Sequence, residues 1–155
     1  MAGAIIEGPD GVLLVRNRRR DGSTDWSTPG GVIDDGESVA EGLTREVQEE
    51  TGLLVTQWEG PLYHVEAVAS GMGWHLRVEV HRAVSYEGDL TVDDPDGIVD
   101  DVRFVPLDSC GEQLAAAWVP THEPLLAWLE DRTAGRTYRY VVDGETRASM
   151  TISRQ

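Results

Sequence analysis

The first apolar run, Ala2 to Ile6, is followed closely by a second, Val12 to Val15, with Pro9-Asp-Gly between them. Short apolar runs separated by a turn signal read as paired strands, so Ala2–Ile6 and Val12–Arg16 predict a hairpin. Gly22 to Gly31, which contains Trp26 and Pro29-Gly-Gly, reads as a loop. The period then changes. Val39, Leu43 and Val47 recur at helical spacing, Ser38 and Glu41 form a capping-box pair at the start, and Gly52 closes the run. A helix over about residues 39–51 is expected.

Leu53-Leu-Val, Tyr63 to Val68 and His75 to Val84 follow as strands. The third alternates, with Leu76, Val78 and Val80 on one face and His75, Arg77, Glu79 and His81 on the other. Glu87 to Asp101 reads as an acidic, turn-rich loop, Val102 to Val105 as a strand, and Leu107-Asp-Ser as the start of a connection. Within Trp118–Glu130 a helix is expected to begin after Pro124. Thr137 to Ile152 predicts a terminal hairpin around Asp143-Gly144. No repeat, low-complexity segment or linker interrupts residues 1–155. The mixture of strands and two helices predicts one α/β (α+β) domain with helices packed on a mixed sheet.

Composition narrows the class. A chain that is 40% hydrophobic and 26% charged is of ordinary globular type. No apolar run approaches the ~18 residues of a membrane span. The single cysteine, Cys110, rules out an intrachain disulfide and a cysteine-based zinc site. With no signal peptide at the start, a cytoplasmic protein is expected. The net charge of −15 disfavours nucleic-acid duplexes and anionic membranes as partners. The one basic cluster, Arg16 to Arg20, suits a small phosphorylated ligand, with Arg16 and Arg18 as candidate contacts. Trp26 is a candidate for stacking a base, beside a plain packing role. The four histidines show no ligand spacing and take no role.

The helix poses a problem. Glu46, Glu49 and Glu50 lie in its last turns, at the negative end of its dipole, where each carboxylate costs a few tenths of a kcal/mol, up to ~1. Glu46 and Glu50 are also like charges four residues apart. At ~100° per residue all three fall within one arc. A divalent cation turns that penalty into a gain, and all-oxygen ligands favour Mg²⁺ or Mn²⁺. Such an ion keeps positions open for substrate phosphates. A solvated acidic helix end is the competing reading of the trio alone.

The wider spacing decides between them. Gly31 is followed by five residues and Glu37, then seven residues and Arg45-Glu-Val-Gln-Glu-Glu-Thr-Gly-Leu53. This resembles, position for position, the signature box of the Nudix (MutT-like) hydrolases. Trp26-Ser-Thr-Pro-Gly-Gly and Val102-Arg-Phe-Val-Pro-Leu-Asp are similar to flanking family segments, so the likeness covers roughly residues 2–130 with the box at 31–53. The terminal hairpin, about 137–152, falls outside it.

The resemblance implies a Nudix fold, an α/β/α sandwich around a mixed sheet, and metal-dependent hydrolysis of a nucleoside diphosphate linked to another moiety. Glu46, Glu49 and Glu50 would hold Mg²⁺ (Mn²⁺ substituting), joined by the carbonyl of Gly30. Arg45 would pair with Glu49 or Glu37, and Glu37 would be structural or reach a second metal. Glu49 is the first candidate for general base, with Asp94, Asp96, Asp100 and Asp101 of the acidic loop as alternatives. Gly42 would permit close approach of a loop or of substrate.

The downstream proline of ADP-ribose hydrolases and the tyrosine of dinucleoside polyphosphate hydrolases are both absent from Ala67-Val-Ala-Ser. The expected substrate is ADP-ribose or a nucleotide sugar, followed by an oxidised nucleoside triphosphate. A non-catalytic nucleotide-binding module is the reading from a different class. Strand edges of the terminal hairpin offer a surface for a homodimer.

Overall fold

The computed structural model describes residues 1–155. Its strands are β1 (Ala2–Ile5), β2 (Glu7–Gly8), β3 (Gly11–Arg18), β4 (Thr24–Ser27), β5 (Gly30–Gly31), β6 (Leu54–Ala69), β7 (Trp74–Glu87), β8 (Val99–Val105), β9 (Arg136–Asp143) and β10 (Thr151–Arg154). Its helices are α1 (Val39–Thr51), the short α2 (Cys110–Gln113) and α3 (Val119–Asp131). No helix is long and apolar enough to cross a membrane.

Two sheets share the core. One runs β10-β9-β6-β7-β1-β5 and is mixed, since β1 pairs parallel to β7 and β9 parallel to β6. The other centres on β3, flanked by β8 and by β2 and β4. The runs Ala2–Ile6 and Val12–Val15 lack alternation because both of their faces are covered. Ala2, Ala4, Ile6 and Leu13 pack with Leu43 and Val47 of α1. Ile5, Val12 and Leu14 turn the other way, into a cluster with Leu125 and Trp128 of α3 and Tyr138 and Tyr140 of β9. The result is the expected α/β/α sandwich.

Several expectations need correction. The first hairpin forms only at its tip, where β2 pairs β3 around Pro9-Asp10, while β1 leaves for the other sheet. The turn signal was local, whereas β1 gains more by lying between β7 and β5. Gly22–Gly31 is not all loop, because β4 pairs β3 and places Trp26 opposite Arg16. The segments at 53–55 and 63–68 are parts of one strand, β6, with register shifts between them. Strand β8 begins at Val99, so the acidic loop ends earlier than expected.

Helix α3 starts at Val119 rather than after Pro124. Pro120 occupies the first turn, where no hydrogen bond is lost, and Thr121 and His122 donate to the Trp118 carbonyl. Pro124 sits inside the helix and is buried. The terminal hairpin does form, but with a longer connection, and it belongs to the main sheet. Tyr138, Tyr140 and Val142 of β9 lie in the core, so the edge offered to solvent is β10 rather than β9.

Candidate active site

Helix α1 carries the box. Ser38 accepts from the Glu41 N–H at 3.1 Å, and Glu41 accepts from the Ser38 N–H at 3.0 Å, closing the capping box. At the other end Gly52 adopts the left-handed conformation and donates to the Gln48 carbonyl. Leu43 and Val47 are fully buried. This fixes the helix rotation and turns Glu46, Glu49 and Glu50 toward the β4–β5 strap.

Arg45 is the hub. Its guanidinium donates to both oxygens of Glu37 at 2.9 Å and to the Val32 carbonyl at 3.2 Å. Nη1 reaches Glu46 at 3.2 Å and Glu49 at 3.5 Å. This fork, helped by the Asp34 N–H, holds Glu37 down to a pKa of about 2. Both Glu37 oxygens are thus occupied.

Glu50 is placed differently. It accepts one bond, 3.2 Å from the Gly30 N–H. Burial is the main cause that pushes its pKa up to about 8, and the negative charge of Glu46, Asp94 and Glu49 adds to it. Burial also raises Glu46, opposed by Arg45 and reinforced by Glu49 and Asp96.

The glycines explain the close fit. A Cβ on Gly31 would stand 2.6 Å from the Glu46 Cδ. On Gly42 it would meet the Ile33 Cδ1 at 2.7 Å, so the helix interior glycine admits the neighbouring loop.

The expected convergence of three carboxylates is not assembled. No three His, Cys, Asp or Glu side chains are grouped to hold a metal ion. Carboxylates repel, and each takes the nearest donor, Arg45 for Glu46 and Glu49 and the Gly30 N–H for Glu50. The residues nevertheless fit a hard divalent cation. The donors are all oxygen, and the missing Cβ at Gly31 leaves a recess into which the Glu46 carboxylate already projects.

The remaining candidates divide. Asp100 is bound by Arg16 at 2.7 Å and Arg18 at 2.9 Å, so one carboxylate engages both guanidinium groups and offsets half of their charge. Asp101 is taken by Arg103 at 2.6 Å and by the Val102 N–H. Arg103 also covers the Trp26 ring at 4.6 Å, which occupies one face of that indole. Asp94 accepts from the N–H groups of Asp96, Ile98 and Val99 and organises the loop. Asp96 alone of the four is without such a bond on its side chain, and it lies near enough to Glu46 to raise it.

Comparison with known proteins identifies the family. A NUDIX domain model matches residues 1–129. The nucleoside diphosphate-linked moiety X motif 6 protein of Xenopus laevis is 40% identical over 53 residues, 34% of this chain and 24% of that protein. The ADP-ribose pyrophosphatase of Methanocaldococcus jannaschii is 38% identical over 50 residues, 32% of this chain and 30% of that protein. The matched segments thus span less than a third of these relatives' length. The NUDIX domain of Shewanella oneidensis NrtR, solved with ADP ribose, superposes with a TM-score of 0.66 at 22% identity, covering 84% of this chain and 85% of that one.

Proposed function

The chain belongs to the NUDIX family, and from that premise we propose that it hydrolyses the diphosphate linkage of a nucleoside diphosphate derivative. The observation that carries this reading is the α1 edge on which Glu46 and Glu50 face Gly31 and Gly30, with Glu49 held beside Glu46 by the Arg45 hub. These three carboxylates, with the Gly30 carbonyl, would hold Mg²⁺ or Mn²⁺. When bound, the ion neutralises the phosphate oxygens and lowers the pKa of water.

The chain's own residues do the rest. Glu49 takes the proton of the attacking water, with Asp96 as the alternative base. Asp94, Asp100 and Asp101 are committed to loop and ion-pair contacts. Arg45 is a positioning residue. It locks Glu37 in two bonds, and through the same guanidinium it sets the rotamers of Glu46 and Glu49. Glu37 is structural, since Arg45 and the Asp34 N–H satisfy it.

ADP-ribose or a nucleotide sugar is the preferred substrate class. The name of the archaeal relative and the ligand of the NrtR domain support it. A panel of nucleotides, assayed for product identity with and without Mg²⁺, tests the reading. ADP-ribose is expected to give AMP and ribose 5-phosphate only when metal is present, and Glu49→Gln is expected to lose that turnover. Absence of metal-dependent turnover on every diphosphate substrate overturns it.

A further inference from the structure

A cavity of about 500 Å³ opens between the β6–β7 turn, the start of α3 and the β9–β10 connection. Met72, Trp74, Leu76, Trp118 and Met150 form its apolar walls. Trp74 and Trp118 meet edge to face, with ring centroids 5.9 Å apart. Arg19 and Arg147 stand at its polar side and also line a second cavity of about 450 Å³, completed by Arg18, Arg20, Asp21 and Ile98. A third, of about 80 Å³, shares Leu76, Trp118 and Thr121 with the first and reaches Gly3 and Thr28. Gly3 pairs with Gly30, whose N–H is bonded to Glu50. The three spaces therefore adjoin one another, from the arginines to Gly3, one strand away from Gly30.

Charge makes the far end unusual. The chain has 28 acidic against 13 basic residues, yet four of those arginines face one cavity. Arg18 and Arg19 are paired with Asp100 and Asp25. Arg20 and Arg147, like Arg77 elsewhere, enter no ion pair; Asp21, the one carboxylate lining this cavity, is bound by Ser23 and feels the charge of Arg147, which leaves the lining net positive. An unpaired guanidinium beside an aromatic wall suits a ligand that offers both a ring and a phosphate. Arg147 and Met150 come from the terminal hairpin, beyond the residues matched by the family model.

We propose that Arg19, Arg20 and Arg147 form a second anion subsite, which takes a phosphate of the substrate other than the diphosphate being cleaved. The aromatic ring of the same ligand lies in the Trp74/Trp118 cavity. The substrate class is accordingly a nucleoside diphosphate derivative whose nucleoside bears an additional phosphate. This rests on the reading that the box holds the scissile diphosphate.

The test compares binding of adenosine 2′,5′- and 3′,5′-bisphosphate with that of adenosine 5′-monophosphate to the intact chain in Mg²⁺, by tryptophan fluorescence and calorimetry. One of the bisphosphates is expected to bind about tenfold tighter or more, equivalent to one good charge-assisted contact. Arg20→Ala and Arg147→Ala are each expected to reduce that preference, and the double variant to abolish it with monophosphate affinity and Tm unchanged. Equal affinity of mono- and bisphosphates, or a preference that survives in the double variant, overturns the subsite. Hydrolysis of ADP-ribose by the unaltered chain is the separate readout. Turnover that persists without any bisphosphate preference sinks the subsite and spares the activity, whereas a preference without turnover does the reverse.

Discussion

Glu50 links stability to the chemistry of the site, and Glu50→Gln separates the two. The amide keeps an oxygen to accept the Gly30 N–H, so the substitution removes charge and little else. In the folded chain the Glu50 pKa rises from 4.5 to about 8. At about 1.4 kcal/mol per pH unit, ionising this buried group costs on the order of 5 kcal/mol. The sign follows from where each state titrates. Below pH ~4.5 both folded and unfolded chains carry the neutral acid, and the raised value is without cost. As pH climbs toward 8 the unfolded chain ionises freely while the folded chain resists, so stability drains away across that window. In the presence of a chelator, Glu50→Gln is therefore expected to be more stable than wild type at pH 8 by a few kcal/mol, with the difference vanishing below about pH 4. A ligand of the folded state reverses the order, since Mg²⁺ raises the wild-type melting temperature and acts weakly on the variant. Urea melts at several pH values, with EDTA and with Mg²⁺, read this out. A variant less stable than wild type at pH 8 in EDTA, or a difference independent of pH, refutes the reasoning.

Other substitutions probe the neighbouring contacts. Arg45→Lys cannot reproduce the two-pronged grip on Glu37, so kcat is expected to fall about 10- to 100-fold while KM changes less, as for a residue that orients ligands. Gly31→Ala would force the Glu46 carboxylate away from a Cβ 2.6 Å from its Cδ. Calorimetry should show weakened Mn²⁺ binding, with an overpacking cost of about 1–3 kcal/mol in urea melts. Asp94→Ala leaves three loop N–H groups unsatisfied and is expected to cost about 1–3 kcal/mol, whereas Asp96→Asn should leave the melt unchanged. If Asp96 is the base, its variant alone flattens the rise of kcat with pH.

The helix and its cargo were legible because they are local. A capping box, a stripe at helical spacing and a terminal glycine fix α1 within the span of its own residues, and the carboxylates ride on it. The box spacing identified the family for the same reason. Pairing between distant segments was not legible. Nothing in Ala2–Ile6 says that β1 lies beside β7 rather than folding onto β3, because a run buried on both faces carries no alternation to set its partner.

The arginines show the same limit at the site. Arg16 and Arg18 stood out as a basic cluster, but Asp100, far along the chain, engages both and offsets half of their charge once β8 lies beside β3. Arg147 lies in the terminal hairpin, outside the family likeness, and the fold carries it to Arg19 and Arg20. Charge in sequence thus measures what a segment owns, whereas the potential that a phosphate meets depends on which opposite charges the sheet brings alongside. In a chain this acidic most arginines are spoken for. The informative ones are Arg20 and Arg147, which folding brings to one cavity without an ion pair.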